Sequence, residues 1–177
     1  MKFSEMPYKR PDLDELKKQM EELIKELEEA GSFEKAMETF LRMETLEKHI
    51  ETQHSLAHIR YDINTKDAFY EEEVKFWNGA LPQLQEYQQK WTKVMLESAF
   101  RPEFEKKFGN VMFLNAEISL KTFSPDIIPE LQKENDLCQE YTKLIASAQI
   151  PFEGKTYTLS QLTPFKTDSD DARRLAA

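Results

Sequence analysis

The sequence predicts a mainly α-helical protein, built from long antiparallel helices with one small β-hairpin near residues 149–159. Three observations predict this fold. The 177 residues include only four glycines and are rich in Glu, Lys, Leu and Gln, which favour helices. Apolar residues recur at alternating steps of three and four, as on the buried face of a helix. The breaks between these stretches are short, so successive helices should run antiparallel.

Two N-caps and an apolar seam predict the first two helices. Asp12 is placed to cap the first helix, because its carboxylate can accept hydrogen bonds from the free backbone N–H groups. Gly31 is expected to end this helix in the left-handed conformation. Ser32 then caps a second helix from Phe33 to about Ile63. The seam of the first helix consists of Leu13, Leu16, Met20, Leu23 and Leu27.

The third helix has the clearest apolar stripe and one interruption. Pro82 lacks a backbone N–H group and its ring clashes one turn back, which predicts a kink or a break close to this residue. The two tryptophans lie on the stripe, and we expect them in the core because large aromatic side chains dominate burial energy. The stripe consists of Tyr70, Val74, Trp77, Leu81, Leu84, Trp91 and Met95.

Three further segments complete the helical part. A short helix should begin at Arg101, and the run 111–120, which is apolar on most sides, is typical of a buried helix. Ser124 followed by Pro125 is a strong start signal for a helix that continues to about residue 148. Cys138 falls near the apolar stripe of that helix, and we expect a buried, unreactive thiol.

The last residues change in character. A hairpin is predicted with its turn at Glu153–Gly154, and residues 167–177 read as the start of a helix that is cut short. The chain therefore looks like the N-terminal part of a longer protein. The predicted organisation is an extended arm over 1–11, a helical lobe over 12–148, the hairpin and a turn over 149–166, and a truncated helix over 167–177.

Composition excludes several classes of function. The net charge of −9 argues against nucleic acid and against anionic membranes, since both bind surfaces rich in Lys and Arg. No stretch approaches the ~20 apolar residues of a membrane span, and the N-terminus lacks the apolar run of a signal peptide. The single cysteine cannot form an internal disulfide. A cytoplasmic setting is expected.

The sequence offers one weak candidate for a metal site and no catalytic residue. His54, His58 and Asp62 are spaced by four on the second helix, so two imidazoles and a carboxylate could share one face. The simpler interpretation is a pair of half-buried histidines packed against neighbouring helices. The His-Glu-x-x-His motif of zinc peptidases is absent, because Ser55 follows His54. Substrate-binding residues cannot be named.

Runs of glutamate are interpreted as solvated helix faces. Such residues stand beside lysines at helical spacing, which supports a helix without providing acid–base chemistry. The runs are Glu21–Glu22, Glu28–Glu29 and Glu71–Glu73.

Several stretches, spread over the whole chain in order, resemble the N-terminal region of oligoendopeptidase F, a member of the thimet-oligopeptidase-like family of zinc metallopeptidases. No single stretch is a catalytic signature, so the resemblance depends on their sum. They are Phe3–Pro11 (FSEMPYKRP), Leu120–Ile128 (LKTFSPDII), Glu140–Ala148 (EYTKLIASA), Pro151–Gly154 (PFEG) and Leu159–Leu162 (LSQL).

The resemblance implies a function located mostly outside these residues. Members of the family are longer, largely helical clamshells around a deep channel that admits short peptides. Their zinc is held by the two histidines of His-Glu-x-x-His and a downstream glutamate, and the motif's own glutamate acts as general base. This chain would be the N-terminal helical lobe and one wall of the channel. None of these catalytic residues transfers to it, so zinc and peptide cleavage are expected only in the full-length parent.

The implied partners are short peptide substrates and the catalytic region of the same chain. Self-association through an exposed apolar surface is also expected. Two alternatives remain open. The chain could be a self-standing helical protein-interaction module without enzymatic activity, or a small metalloprotein that uses His54, His58 and Asp62.

Overall fold

A computed structural model describes residues 5–122 and 124–177. The first four residues of the predicted arm, and Phe123 within the stretch Leu120–Ile128, lie outside the described residues. The chain divides into two compact units, Met1–Gln132 and Lys133–Ala177. The predicted division into arm, lobe, hairpin and truncated helix stays a prediction.

Three long helices form the centre of the first unit. They are α1 (Leu13–Glu28), α2 (Phe33–Ile63) and α3 (Ala68–Glu97), and each contacts the other two. Short connections join them in sequence, so neighbours run antiparallel. The core between them includes the α1 seam and both tryptophans, as predicted. Its best-buried members on these three helices are Met20, Ala36, Met43 and Trp77.

Side-chain caps fix where these helices begin. The Asp12 carboxylate accepts from the backbone N–H groups of Asp14 and Glu15 at 3.0 and 3.1 Å. The Ser32 hydroxyl accepts from the Lys35 N–H at 3.3 Å. The prediction of a left-handed cap at Gly31 is wrong. The helix already ends at Glu28 with Glu29 as its cap, and Gly31 is not among the glycines with positive φ.

The α3 helix continues through Pro82 without a break. Two glutamine side chains donate to the Gly79 carbonyl one turn earlier, Gln83 and Gln132, each at 2.8 Å. Both donors reach the same carbonyl oxygen, three residues before the proline whose ring lacks a backbone N–H. The side-chain carbonyl of Gln83 also accepts from the Lys17 ammonium at 2.7 Å, which connects α1 to this part of α3.

Two shorter helices follow, α4 (Arg101–Phe108) and α5 (Val111–Ser119), separated by Gly109 with φ of +84°. The prediction that α5 is a buried helix is wrong. Of its residues only Phe113 is buried, whereas Val111, Leu114 and Ile118 are exposed. A single helix of this length can place only one side against α3 and α4, and the other sides face outward.

Ser124 caps a 3₁₀ turn at Pro125–Ile127, which leads directly into α6 (Ile128–Ser147). The start signal is therefore confirmed. The apolar stripe of α6 is exposed in its second half, and Cys138 beside it is exposed too. The prediction of a buried thiol is wrong for this reason.

The second unit contains the hairpin and the last helices. Strands β1 (Ile150–Phe152) and β2 (Lys155–Tyr157) pair antiparallel, with Ile150 opposite Tyr157. The turn is at Glu153–Gly154 as predicted, and both residues have positive φ, +47° and +74°. The helices α7 (Leu159–Leu162) and α8 (Asp171–Ala176) follow. Mainly α with a small β-hairpin is the confirmed fold class.

Candidate functional site

A buried carboxylate on α3 anchors the N-terminal arm to the helices. Glu73 accepts two hydrogen bonds from Arg10 Nε, at 3.1 and 3.0 Å, and one from Arg10 Nη2 at 2.7 Å. It also accepts a hydrogen bond from the Tyr8 hydroxyl. The Tyr8 oxygen in turn accepts from Trp77 Nε1 at 3.2 Å. One carboxylate thus ties the arm to the core tryptophan.

Further contacts extend this attachment to α2. The backbone N–H of Lys9 donates to Gln53 Oε1 at 3.0 Å, and Arg60 Nη2 donates to the Met6 carbonyl at 2.6 Å. The Arg10 guanidinium lies over the Phe76 ring at 5.2 Å. Each of these polar anchors of the arm has its partner on a long helix.

Electrostatics favour the ionised form of Glu73. Burial raises the pKa of this carboxyl, since only 5% of its side chain is exposed. The hydrogen bonds from Arg10 and Tyr8 outweigh burial, so the pKa of Glu73 lies below its ordinary value. Burial and the bond to Glu73 raise the pKa of Tyr8. The cluster therefore holds a fixed ion pair and a neutral phenol, an arrangement suited to attachment.

Sequence reasoning missed this cluster. The interpretation of Glu71–Glu73 as a solvated helix face is wrong for Glu73, which is buried. The available signal was its position four residues before Trp77, because residues so spaced share a helix face. The interpretation holds better for Glu71, whose carboxylate pairs with Lys75 at 3.1 Å in the i,i+4 arrangement.

The two histidines lie close together and partly buried on α2. The ring centroids of His54 and His58 are 4.4 Å apart, and His54 meets Trp77 edge-on at 5.6 Å. Burial, and then the neighbouring His58, lower the pKa of His54 to about 4. Burial also lowers the pKa of His58, although Asp62 opposes this. Both rings are therefore neutral near pH 7, packed as aromatic side chains.

Within residues 5–122 and 124–177, no three His, Cys, Asp or Glu side chains are arranged to hold a metal ion. His54, His58 and Asp62 do not form such a group. The residues present here therefore do not fit a catalytic zinc, and they supply no step that depends on one. In the same described ranges, no helix combines the length and the apolar content that crossing a lipid bilayer would take.

A cavity of about 190 Å³ lies between α2, α3 and α5. Its walls are mostly apolar and aromatic, and Glu47 and Gln88 contribute polar groups. This site was not anticipated from the sequence, because its residues come from three helices whose packing no local pattern specifies. The lining residues are Phe40, Glu44, Glu47, Gln88, Trp91, Thr92, Met95, Met112, Phe113 and Ala116.

An exposed apolar stripe runs along the second half of α6. Tyr141 and Leu144 are 65% and 67% exposed, and Leu137 and Ile145 are exposed beside them. Their spacing of three, four and eight residues places them on one helix face. Exposed apolar residues grouped on one face are a candidate interaction surface.

Residues 3–123 match the family model of the peptidase M3 N-terminal domain. The chain belongs to the M3 peptidase family. A search of curated proteins found no match.

Solved structures extend the M3 resemblance to the whole chain. An oligoendopeptidase F structure is 41% identical, with a TM-score of 0.95 over 99% of this chain and 31% of that one. PZ peptidase A, solved with an inhibitor, is 37% identical, with a TM-score of 0.94 over 98% and 31%. An oligoendopeptidase F from Bacillus anthracis is 36% identical, with a TM-score of 0.95 over 99% and 32%.

These comparisons confirm the resemblance to the N-terminal region of oligoendopeptidase F. The chain spans about a third of the length of the solved structures that it matches.

Proposed function

We propose that these residues form the N-terminal helical lobe of a zinc-dependent oligoendopeptidase that hydrolyses short peptides. In this role the lobe provides one wall of the substrate channel, and residues outside it hold the zinc. The observation that carries the proposal is the near-complete superposition of this chain on about a third of several longer M3 proteins.

The α6 stripe supports the proposal. Leu137, Tyr141, Leu144 and Ile145 expose apolar area that costs free energy in water, at about 25 cal/mol for each Å². A covering surface supplied by the catalytic region of the same chain would remove this cost. The anchored arm fits the same role, because the ion pair between Glu73 and Arg10 attaches the arm to α3 and has a structural function, not a catalytic one.

A chimera tests the proposal. Residues 1–177 replace the matching third of the Bacillus anthracis protein, and hydrolysis of an internally quenched oligopeptide is measured beside the unmodified protein. We expect the chimera to retain zinc-dependent hydrolysis. The 177 residues alone should bind no stoichiometric zinc and cleave no peptide. Metal-dependent hydrolysis by the isolated chain would refute the proposal that the zinc is held by residues outside it. A folded chimera that binds zinc and is inactive would also refute the proposal.

A self-standing helical interaction module is the second candidate, because the α6 stripe would serve it equally well. Such a module needs no catalytic region. It predicts a stable complex with another protein through α6, and a folded chimera without peptide hydrolysis, because this chain would not replace the missing lobe.

A further inference from the structure

The cavity between α2, α3 and α5 combines an apolar body with a charged end. Trp91, Met95 and Phe113 are buried and form part of its apolar wall. Its polar side comes from α2, where Glu44 and Glu47 line it, together with Gln88 of α3. Pockets with apolar walls and a few converging polar groups are the usual form of a small-ligand site.

Glu47 is the carboxylate best placed to meet a ligand. It is partly buried, and its side-chain partner is the neutral amide of Gln88, which donates a hydrogen bond. Burial raises the pKa of Glu47, and the carboxylates of Glu44 and Glu51 raise it further. The negative charge at this wall is thus only partly balanced by the protein, and a cation in the cavity would balance it.

Two basic residues near the cavity are already paired. Lys48 pairs with Glu44 at 3.4 Å, and 73% of its side chain is exposed, so it extends into solvent. Arg101 lies over the Phe113 ring at 5.1 Å, but its guanidinium pairs with Glu105 and Glu117 at 2.7 and 2.8 Å. Neither supplies Glu47 with a cation.

We propose that this cavity binds the basic side chain of a peptide, with its aliphatic stem against Trp91 and Met95 and its ammonium group at Glu47. The aliphatic stem packs against the apolar walls, and the ammonium group donates a charge-assisted hydrogen bond to the Glu47 carboxylate. The net charge of −9 attracts basic peptides to the protein as a whole. This binding goes beyond the proposed function, since it needs no catalysis by this chain or by any other.

The probes are two peptides that differ in one group. Acetyl-Gly-Lys-Gly-amide carries the ammonium, and acetyl-Gly-norleucine-Gly-amide has the same stem without it. The chain has two tryptophans, and only Trp91 lines the cavity, whereas Trp77 is fully buried elsewhere. Titrations monitored by the two indole N–H signals in NMR therefore contain an internal control. The lysine peptide should shift the Trp91 signal in a saturable way and leave the Trp77 signal in place.

Three variants sharpen the test. Glu47→Gln keeps the shape and removes the charge, and it should weaken binding of the lysine peptide about tenfold, the range expected for one charge-assisted hydrogen bond. Glu38→Gln is the matched control, because it is exposed on α2 and nine residues away, on the opposite face. It should leave the affinity unchanged. Ala116→Leu should fill the cavity and abolish binding of the lysine peptide.

The proposal is overturned if the norleucine peptide binds as tightly as the lysine peptide, or if neither shifts the Trp91 signal. Equal affinities for the Glu47→Gln and Glu38→Gln variants would overturn it as well. None of these results depends on peptide hydrolysis, so they are separate from a failure of the proposed function.

Discussion

Replacing Glu73 by Gln should release the N-terminal arm and destabilise the first unit. The substitution keeps the side-chain size but places an amide, which includes a donor, against the Arg10 guanidinium. The Tyr8 hydroxyl can still donate to the amide oxygen. The loss is therefore concentrated in the three guanidinium contacts of 2.7–3.1 Å.

The magnitude follows from the exposure of the two partners. Hydrogen bonds to charged groups contribute about 1.5–3 kcal/mol each. Arg10 is 44% exposed and regains water once it is released, whereas Glu73 is 5% exposed. We therefore expect the free energy of unfolding to fall by about 2–3 kcal/mol, below the sum of about 3–6 kcal/mol for two such bonds, because the released Arg10 is hydrated again. With a urea dependence of about 2 kcal/mol/M, the unfolding midpoint should fall by about 1–1.5 M.

Tryptophan fluorescence during urea unfolding measures this change, since Trp77 and Trp91 both lie in the first unit. Glu97→Gln removes the same charge from an exposed residue of α3 that is not among the groups acting on Arg10, and it serves as control. Limited trypsin digestion gives a local readout, because release of the arm should speed cleavage after Lys9. The reasoning is refuted if the two variants unfold at the same urea concentration and the arm is cleaved at the same rate in both.

Three further outcomes are expected. Because the pKa of His54 is lowered to about 4, the unfolded chain binds a proton between about pH 6.5 and 4 that the folded chain does not. The free energy of unfolding should therefore fall as the pH drops through this range. His54→Phe should make the free energy of unfolding less dependent on pH, as measured by acid unfolding curves. Leu144→Asp should weaken any self-association through the α6 stripe in sedimentation velocity, whereas Lys143→Asp, beside it, should not. Gly154→Ala should cost about 1 kcal/mol because φ is +74° there, read as a lower melting temperature of the second unit by circular dichroism.

Local signals in the sequence predicted much of the backbone. Caps such as Asp12 and Ser32 act through atoms two or three residues away, so sequence neighbours suffice to place a helix start. The turn at Glu153–Gly154 was predicted for the same reason. Gly31 shows the limit of such rules, since α1 ended before reaching it.

Burial was harder to predict, because it depends on which surfaces meet. Apolar periodicity correctly placed Trp77 in the core. It could not reveal that the apolar residues of α5 and α6 face outward, and so it misplaced Cys138. Glu73 was missed because its partners, Tyr8 and Arg10, lie more than sixty residues earlier in the chain.

The coding sequence downstream of Ala177 tests the proposed role most directly. If these residues are the N-terminal lobe of an oligoendopeptidase, the reading frame continues in the intact gene and encodes a helix with His-Glu-x-x-His. A stop codon directly after Ala177 in the intact gene would contradict that role.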